Sequence, residues 1–273
     1  MASTGRTRMK PSLQPGTSTP GLIPGRVYLD CLVAGNTRAA RLSGYPIRRS
    51  RMRGGHHQFG QEDDMDLNHP EATEAALSIL RSGEPFQWYV VTLLALALYA
   101  YVNEISKGNW KVVAGGLALY MVHWSVEIIN ALIQYFSGHA LWTVPSGTAY
   151  LILVGVGVEI SLMFPVIALT MCKLLPEDPR AKTLGINSRV FFALVNAGLI
   201  SFVEIFLAKT PTFIWIYPWW GAAPVFITVY IPFFLAAFFC HDWQPRTQKR
   251  FLLTLALVNA GALVLFAGIL GWI

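Results

Sequence analysis

The chain has 273 residues, 54% of them hydrophobic and only 13% charged, too little charge to coat a water-facing domain of that size. This argues against a soluble enzyme and for an all-α, polytopic integral membrane protein. The net charge of +6 is uneven, because ten of the 21 Lys and Arg residues precede residue 61, where Asp30 is the only acid. Three distant cysteines, Cys31, Cys172 and Cys240, suit neither a disulfide scaffold nor a spaced zinc cluster.

Residues 1–64 form an Arg-rich tail whose Gly, Pro and Ser content and lack of hydrophobic periodicity predict disorder. Only Tyr28 and Tyr45 fall among its arginines, so no nucleic-acid partner is expected. A short extramembrane lead-in over 65–85 precedes six apolar runs, at 86–105, 111–135, 147–172, 189–209, 222–241 and 250–273. Each is near the roughly 20 residues that cross about 30 Å of hydrocarbon, which predicts a six-helix transmembrane bundle over 86–273. Proline and charge fill the gaps, as in Leu175-Pro176-Glu177-Asp178-Pro179-Arg180. The aromatic stretch from Phe213 to Trp220 suits the headgroup level, where one ring edge is wet and the other apolar.

Basic residues in short loops stay cytoplasmic during insertion. The loops after spans one, three and five hold Lys107, Lys111, Lys173, Arg180, Lys182, Arg189, Arg246, Lys249 and Arg250, against Lys209 alone after spans two and four. Both termini are therefore expected on the non-cytoplasmic side. The basic tail conflicts with that placement, which predicts either a translation start at Met52 or Met65 or an Arg-rich transit segment that is removed.

Ionisable groups inside spans are costly and are candidate sites by default. His123, Glu127, Asn130 and Gln134 follow i, i+4, i+7 and i+11 spacing, a stripe about 60° wide that must face the bundle interior. Glu159 lies in span three, and Asn196 and Glu204 in span four. Counting about 1.5 Å of rise per residue from the outer ends puts His123, Glu159 and Asn196 near one plane about 18–20 Å deep. Glu127 falls nearer the outer side, where Tyr230 of span five is level with it, and Asn130 and Glu204 fall further out. Gly155 and Gly157 allow close approach beside Glu159, and Pro165 and Pro232 are expected to kink spans three and five.

A carboxylic acid in hydrocarbon keeps its proton and can deliver it to a poor base such as an alkene. Aromatic faces, among them Trp124, Tyr120, Phe164, Phe191, Phe192 and Phe202, can shield the resulting cation. Glu127 and Glu159 are thus expected as proton donor and cation stabiliser and His123 as proton acceptor. Trp124, Asn130, Asn196, Glu204 and Tyr230 are expected around an apolar lipid drawn from the bilayer. No metal or organic cofactor is expected.

His123-Trp124-Ser125-Val126-Glu127 with the downstream Glu159 resembles the His-x-x-x-Glu and later Glu of the emopamil-binding (EXPERA) sterol isomerase family. That resemblance covers 86–242 and implies sterol double-bond migration with His123, Glu127 and Glu159 as the acid–base set. The family's Asn-x-x-Trp has no counterpart in span five. Trp124 and Glu127 are also similar to the Trp-Glu element of membrane terpene cyclases, which implies protonation of an isoprenoid. Two other readings fit the same residues: a proton-coupled small-molecule carrier using the Glu and His ladder, and a non-catalytic membrane subunit pinned by interhelical hydrogen bonds.

Overall fold

In hydrocarbon a segment must satisfy its own backbone N–H and C=O groups, so apolar runs of spanning length become helices. The computed structural model describes residues 67–273; the expectations for the tail, including a start at Met52 or Met65, lie outside these residues. Among the described residues five helical segments are long and apolar enough to cross a membrane. They are α2 (Tyr89–Ser106), α3 (Trp110–Ser137), α5 (Ser188–Leu207), the continuous segment Ala222–Asp242 and Pro245–Ile269. The fourth comprises α6 (Ala222–Val225), a π-helical turn at Phe226–Tyr230 and α7 (Ile231–Asp242). The fifth is α8 (Pro245–Ala262), continued as a π-helix over Leu263–Ile269. Pro232 has no N–H to offer the carbonyl one turn back, and the widened turn lies just before it.

The expected span at 147–172 is corrected. Only α4 (Val158–Lys173) is helical there, and its 16 residues rise about 24 Å, short of a roughly 30 Å core. The preceding residues form a hairpin, β2 (Leu151–Leu153) against β3 (Val156–Gly157). Hydropathy could not distinguish the two, because the hairpin is apolar for burial within the protein: Leu151, Leu153 and Val156 are buried. Glycine is required at its turn. A Cβ on Gly155 would stand 2.4 Å from Asn130 Nδ2 and 2.5 Å from Trp142 Nε1.

The hairpin belongs to a cap over one end of the bundle. The cap also contains α1 (Glu71–Ile79) and a second pairing of β1 (Trp142–Thr143) with β6 (Ile214–Trp215). Thr143 Oγ1 donates to the Ala72 carbonyl at 3.2 Å, joining α1 to β1. The aromatic stretch expected along an interface folds into this cap, burying Phe213, Ile216, Tyr217 and Trp220 and leaving Trp219 exposed.

The other end gathers the α2–α3, α4–α5 and α7–α8 connections and is called here the basic end. The α4–α5 connection turns through β4 (Lys182–Thr183) and β5 (Ile186–Asn187). Ion pairs with one fully buried partner each hold the helices together at this end. Glu104 accepts from Lys173 Nζ at 2.8 Å and Asn109 Nδ2 at 2.6 Å, tying α2 to α4. Arg189 forks onto Asp242 at 2.6 and 2.9 Å, tying α5 to α7.

The central helix is α3, packed by α4, α7 and α8. It comes close because Gly115 and Gly116 lack side chains: a Cβ on Gly115 would lie 2.5 Å from Cys172 Sγ and 2.9 Å from the Ala237 carbonyl. Asn259 Nδ2 donates to the Met121 carbonyl at 2.7 Å, and Ser125 Oγ donates to Asn259 Oδ1 at 2.8 Å, setting the register of α8 on α3.

Gly115→Val is expected to cost about 1–3 kcal/mol through overpacking, seen as a melting temperature several degrees lower in detergent. Gly261→Val, which meets nothing within 4 Å, serves as the control and leaves it nearly unchanged. Arg189→Ala leaves Asp242 with His241 as its remaining partner and is expected to cost about 3 kcal/mol. The double substitution Arg189→Met with Asp242→Leu recovers much of that loss in the same melting assay.

Candidate functional site

The stripe on α3 divides. His123 and Glu127 line a cavity walled by α3, α4, α5 and the segment that carries the π-turn, while Asn130 serves the cap. The cavity volume is about 100 Å³. Its polar groups are His123, Glu127, Glu204 and Tyr230, in walls otherwise supplied largely by residues such as Phe164, Phe233 and Val229. Met163 of α4 and Val203 and Leu207 of α5 also line it, and their side chains are exposed. Both helices pack on α7. The mouth therefore opens sideways between α4 and α5, among apolar side chains that face lipid.

His123 Nε2 lies 3.4 Å from Glu127 Oε1, within ion-pair range. The approach lacks hydrogen-bond alignment, and both imidazole nitrogens, Glu127 Oε2 and Ser201 Oγ are buried without a protein partner. Glu204 is the opposite case. Its Oε1 accepts from Trp215 Nε1 at 2.9 Å and its Oε2 from the Tyr230 hydroxyl at 2.5 Å. Glu127 lies close enough to Glu204 and Tyr230 to interact with both electrostatically. The site thus pairs a fully bonded carboxyl with one whose outer oxygen is free.

Aromatic rings enclose the imidazole. Phe164 lies 4.5 Å from it between centroids and Phe233 meets it edge-on at 5.9 Å. Tyr230 stacks on Phe164 at 6.2 Å and meets Phe233 edge-on at 5.9 Å. Aromatic rings of this kind exclude water and carry negative faces that attract cations. Chemically, the arrangement can hold a proton at Glu127, receive one at His123 and face an electron-poor centre with aromatic rings.

The remaining expected residues lie elsewhere. Glu159 sits in the first turn of α4, where it accepts from Tyr89, from Thr148 Oγ1 at 2.6 Å and from the Ala149 N–H at 2.7 Å. It does not line the cavity, because the hairpin before it folds back and the depth count assumed a helix from residue 147. Asn130 is buried and holds the cap strand, donating to the Trp142 carbonyl at 3.0 Å and accepting from the Leu141 N–H at 2.8 Å. Asn196 donates to the Phe192 carbonyl of its own helix at 2.7 Å. Trp124 stands edge-on to His123 at 6.4 Å and does not line the cavity. Of the other aromatics expected around a cation, only Phe164 lines the cavity.

Sequence reading missed Phe233, Trp142, Phe213 and Trp215. Phe233 carried a signal, since it follows Pro232 where the helix is irregular. Trp215 carried none, because only the β1–β6 pairing brings the indole back onto Glu204. Among the described residues no group of three or more His, Cys, Asp or Glu side chains lies close enough to hold a metal ion.

Residues 70–268, which include every cavity residue, match a family described as an uncharacterized membrane protein family. A protein of Archaeoglobus fulgidus, itself described as an uncharacterized protein, is 41% identical over 208 residues, covering 74% of this chain and 99% of that protein. No solved structure matches the chain. Neither match carries a link to sterol isomerases or terpene cyclases. The spanning helices and the match over most of their length agree: the chain is an integral, multi-pass membrane protein and belongs to this uncharacterized membrane protein family.

Proposed function

We propose that the protein is a membrane-embedded acid–base enzyme that protonates an alkene of an apolar isoprenoid or sterol-like lipid and acts as an isomerase or cyclase. One observation carries this reading: His123 and Glu127 present unpartnered, buried polar atoms to an apolar cavity that opens between α4 and α5. A purely structural pair would be expected to bond to neighbouring groups, as Asn130, Asn259 and Glu204 do.

Glu127 gives its carboxyl proton to one alkene carbon, the π electrons forming the new C–H bond and leaving a cation on the other carbon. The faces of Phe164, Tyr230 and Phe233 stabilise that cation. Glu204, fixed by Trp215 and Tyr230, replaces Glu159 as the second carboxyl of the site. His123 takes a proton from the adjoining carbon, whose C–H electrons become the shifted double bond, and returns it to Glu127 across 3.4 Å. In a cyclase, a second alkene attacks the cation before that proton leaves. The excess of Lys and Arg at the basic end supports a cytoplasmic placement for it, with the cap on the opposite side. A proton-coupled carrier finds less support, because Glu159 and Asn130 are bonded within the cap instead of continuing a proton path.

Nanodisc-embedded protein is to be incubated in D2O with squalene, an unsaturated sterol and a native-membrane lipid extract, and the lipids read by mass spectrometry. The reading predicts deuterium in a lipid whose double bonds have moved or closed into a ring. Glu127→Gln should lower the rate at least about a hundredfold, whereas Glu159→Gln should keep it and lose thermal stability. Absence of deuterium from every lipid, or equal incorporation by Glu127→Gln, contradicts the proposal.

A further inference from the structure

A second apolar groove lies on the other side of α3, between it and α8. Leu117 and Met121 form one wall, and Leu252, Leu253 and Ala256 the other, with Lys249 at the end of the groove nearest the α7–α8 turn. At about 100° per residue, Leu117 and Met121 point roughly 120° around α3 from His123 and Glu127, so the groove is separate from the cavity. From Lys249 to Ala256 it runs about 10 Å along α8. The Asn259 bonds to Met121 and Ser125 hold the two helices parallel at this level.

The charge beside the groove has one sign. Arg246, Lys249 and Arg250 are exposed in the first two turns of α8, and among the described residues none of them forms an ion pair. The nearest acid in sequence, Asp242, is taken by Arg189 and His241. Three cations without counter-ions at one end of an apolar furrow, in a chain that spans a bilayer, match the two ends of a single molecule.

We propose that this groove binds a phospholipid with an anionic headgroup, its phosphate on Lys249 with Arg246 and Arg250 beside it and one hydrocarbon chain between α3 and α8. Lys249 supplies a compact charge for phosphate, and the flanking arginines can chelate its oxygens. Anionic lipids are attracted to such clusters at a membrane surface, and the apolar walls add a requirement for a tail. A bound lipid would cover the seam between α8 and the rest of the bundle, since α8 packs chiefly on α3.

The test is native mass spectrometry of the full chain in detergent, titrated with phosphatidylglycerol and with phosphatidylcholine. The proposal predicts about tenfold preferential retention of phosphatidylglycerol. Combined Arg246→Gln, Lys249→Gln and Arg250→Gln should abolish the preference. Ala256→Trp, which fills the groove without touching charge, should weaken phosphatidylglycerol binding several-fold. Melting curves identify any variant that fails to fold, in which case Lys249→Gln alone must reduce the preference. Equal retention of the two lipids by the unaltered chain, a preference that survives loss of the cations, or equally strong binding of the soluble headgroup glycerophosphoglycerol overturns the proposal.

Discussion

A hydrocarbon solvent offers no hydrogen bonds, so every polar group carried into it must be answered by another part of the protein. Most of this structure follows from that demand. Glu104 is answered by Lys173 and Asn109, Arg189 by Asp242, Asn259 by α3, and Glu204 by Trp215 and Tyr230. Apart from the bond of Asn109 to Glu104, five residues away, each answer joins two elements that are apart in sequence. Among the described residues Thr73, His123, Glu127, His139, Ser201 and Trp220 keep buried atoms without a protein partner, and of these only His123 and Glu127 line the chamber.

That space has a structural cause. Where a full-length third span would have filled the bundle, the chain folds as a hairpin and α4 begins late, short of membrane thickness. Opposite it, the π-turn before Pro232 widens the helix and sets Val229 and Tyr230 at the cavity wall. The cap closes the end of the bundle, with Trp142 and Phe213 from its strands completing the lining. The result is a chamber closed by protein on most sides and bordered by Met163, Val203 and Leu207 on the side that faces lipid.

Five of the six expected spans coincide with helices to within a few residues, since length and hydropathy suffice where a segment is apolar and uninterrupted. The exception shows what hydropathy measures, which is transfer from water and not conformation. Leu151, Leu153 and Val156 are as apolar as a span yet serve a folded cap, and the Gly155 and Gly157 spacing beside them was the sign of a strand turn. The same error displaced Glu159 from the site. Helical spacing did place His123 and Glu127 together, and depth counting brought Tyr230 near Glu127. The bonds of Glu204 to Tyr230 and Trp215 depended on the tertiary return of β6, for which no local pattern exists.

The central claim is that the chamber holding His123 and Glu127 admits a membrane lipid through the gap between α4 and α5. A cryo-electron microscopy map of the protein in nanodiscs, at a resolution that shows side chains and lipid, tests it most directly. The account predicts an elongated hydrocarbon density threading past Met163 and Val203 to end against the imidazole and the free oxygen of Glu127. A collapsed chamber, with those two side chains hydrogen-bonded to protein neighbours and α4 packed against α5, contradicts it.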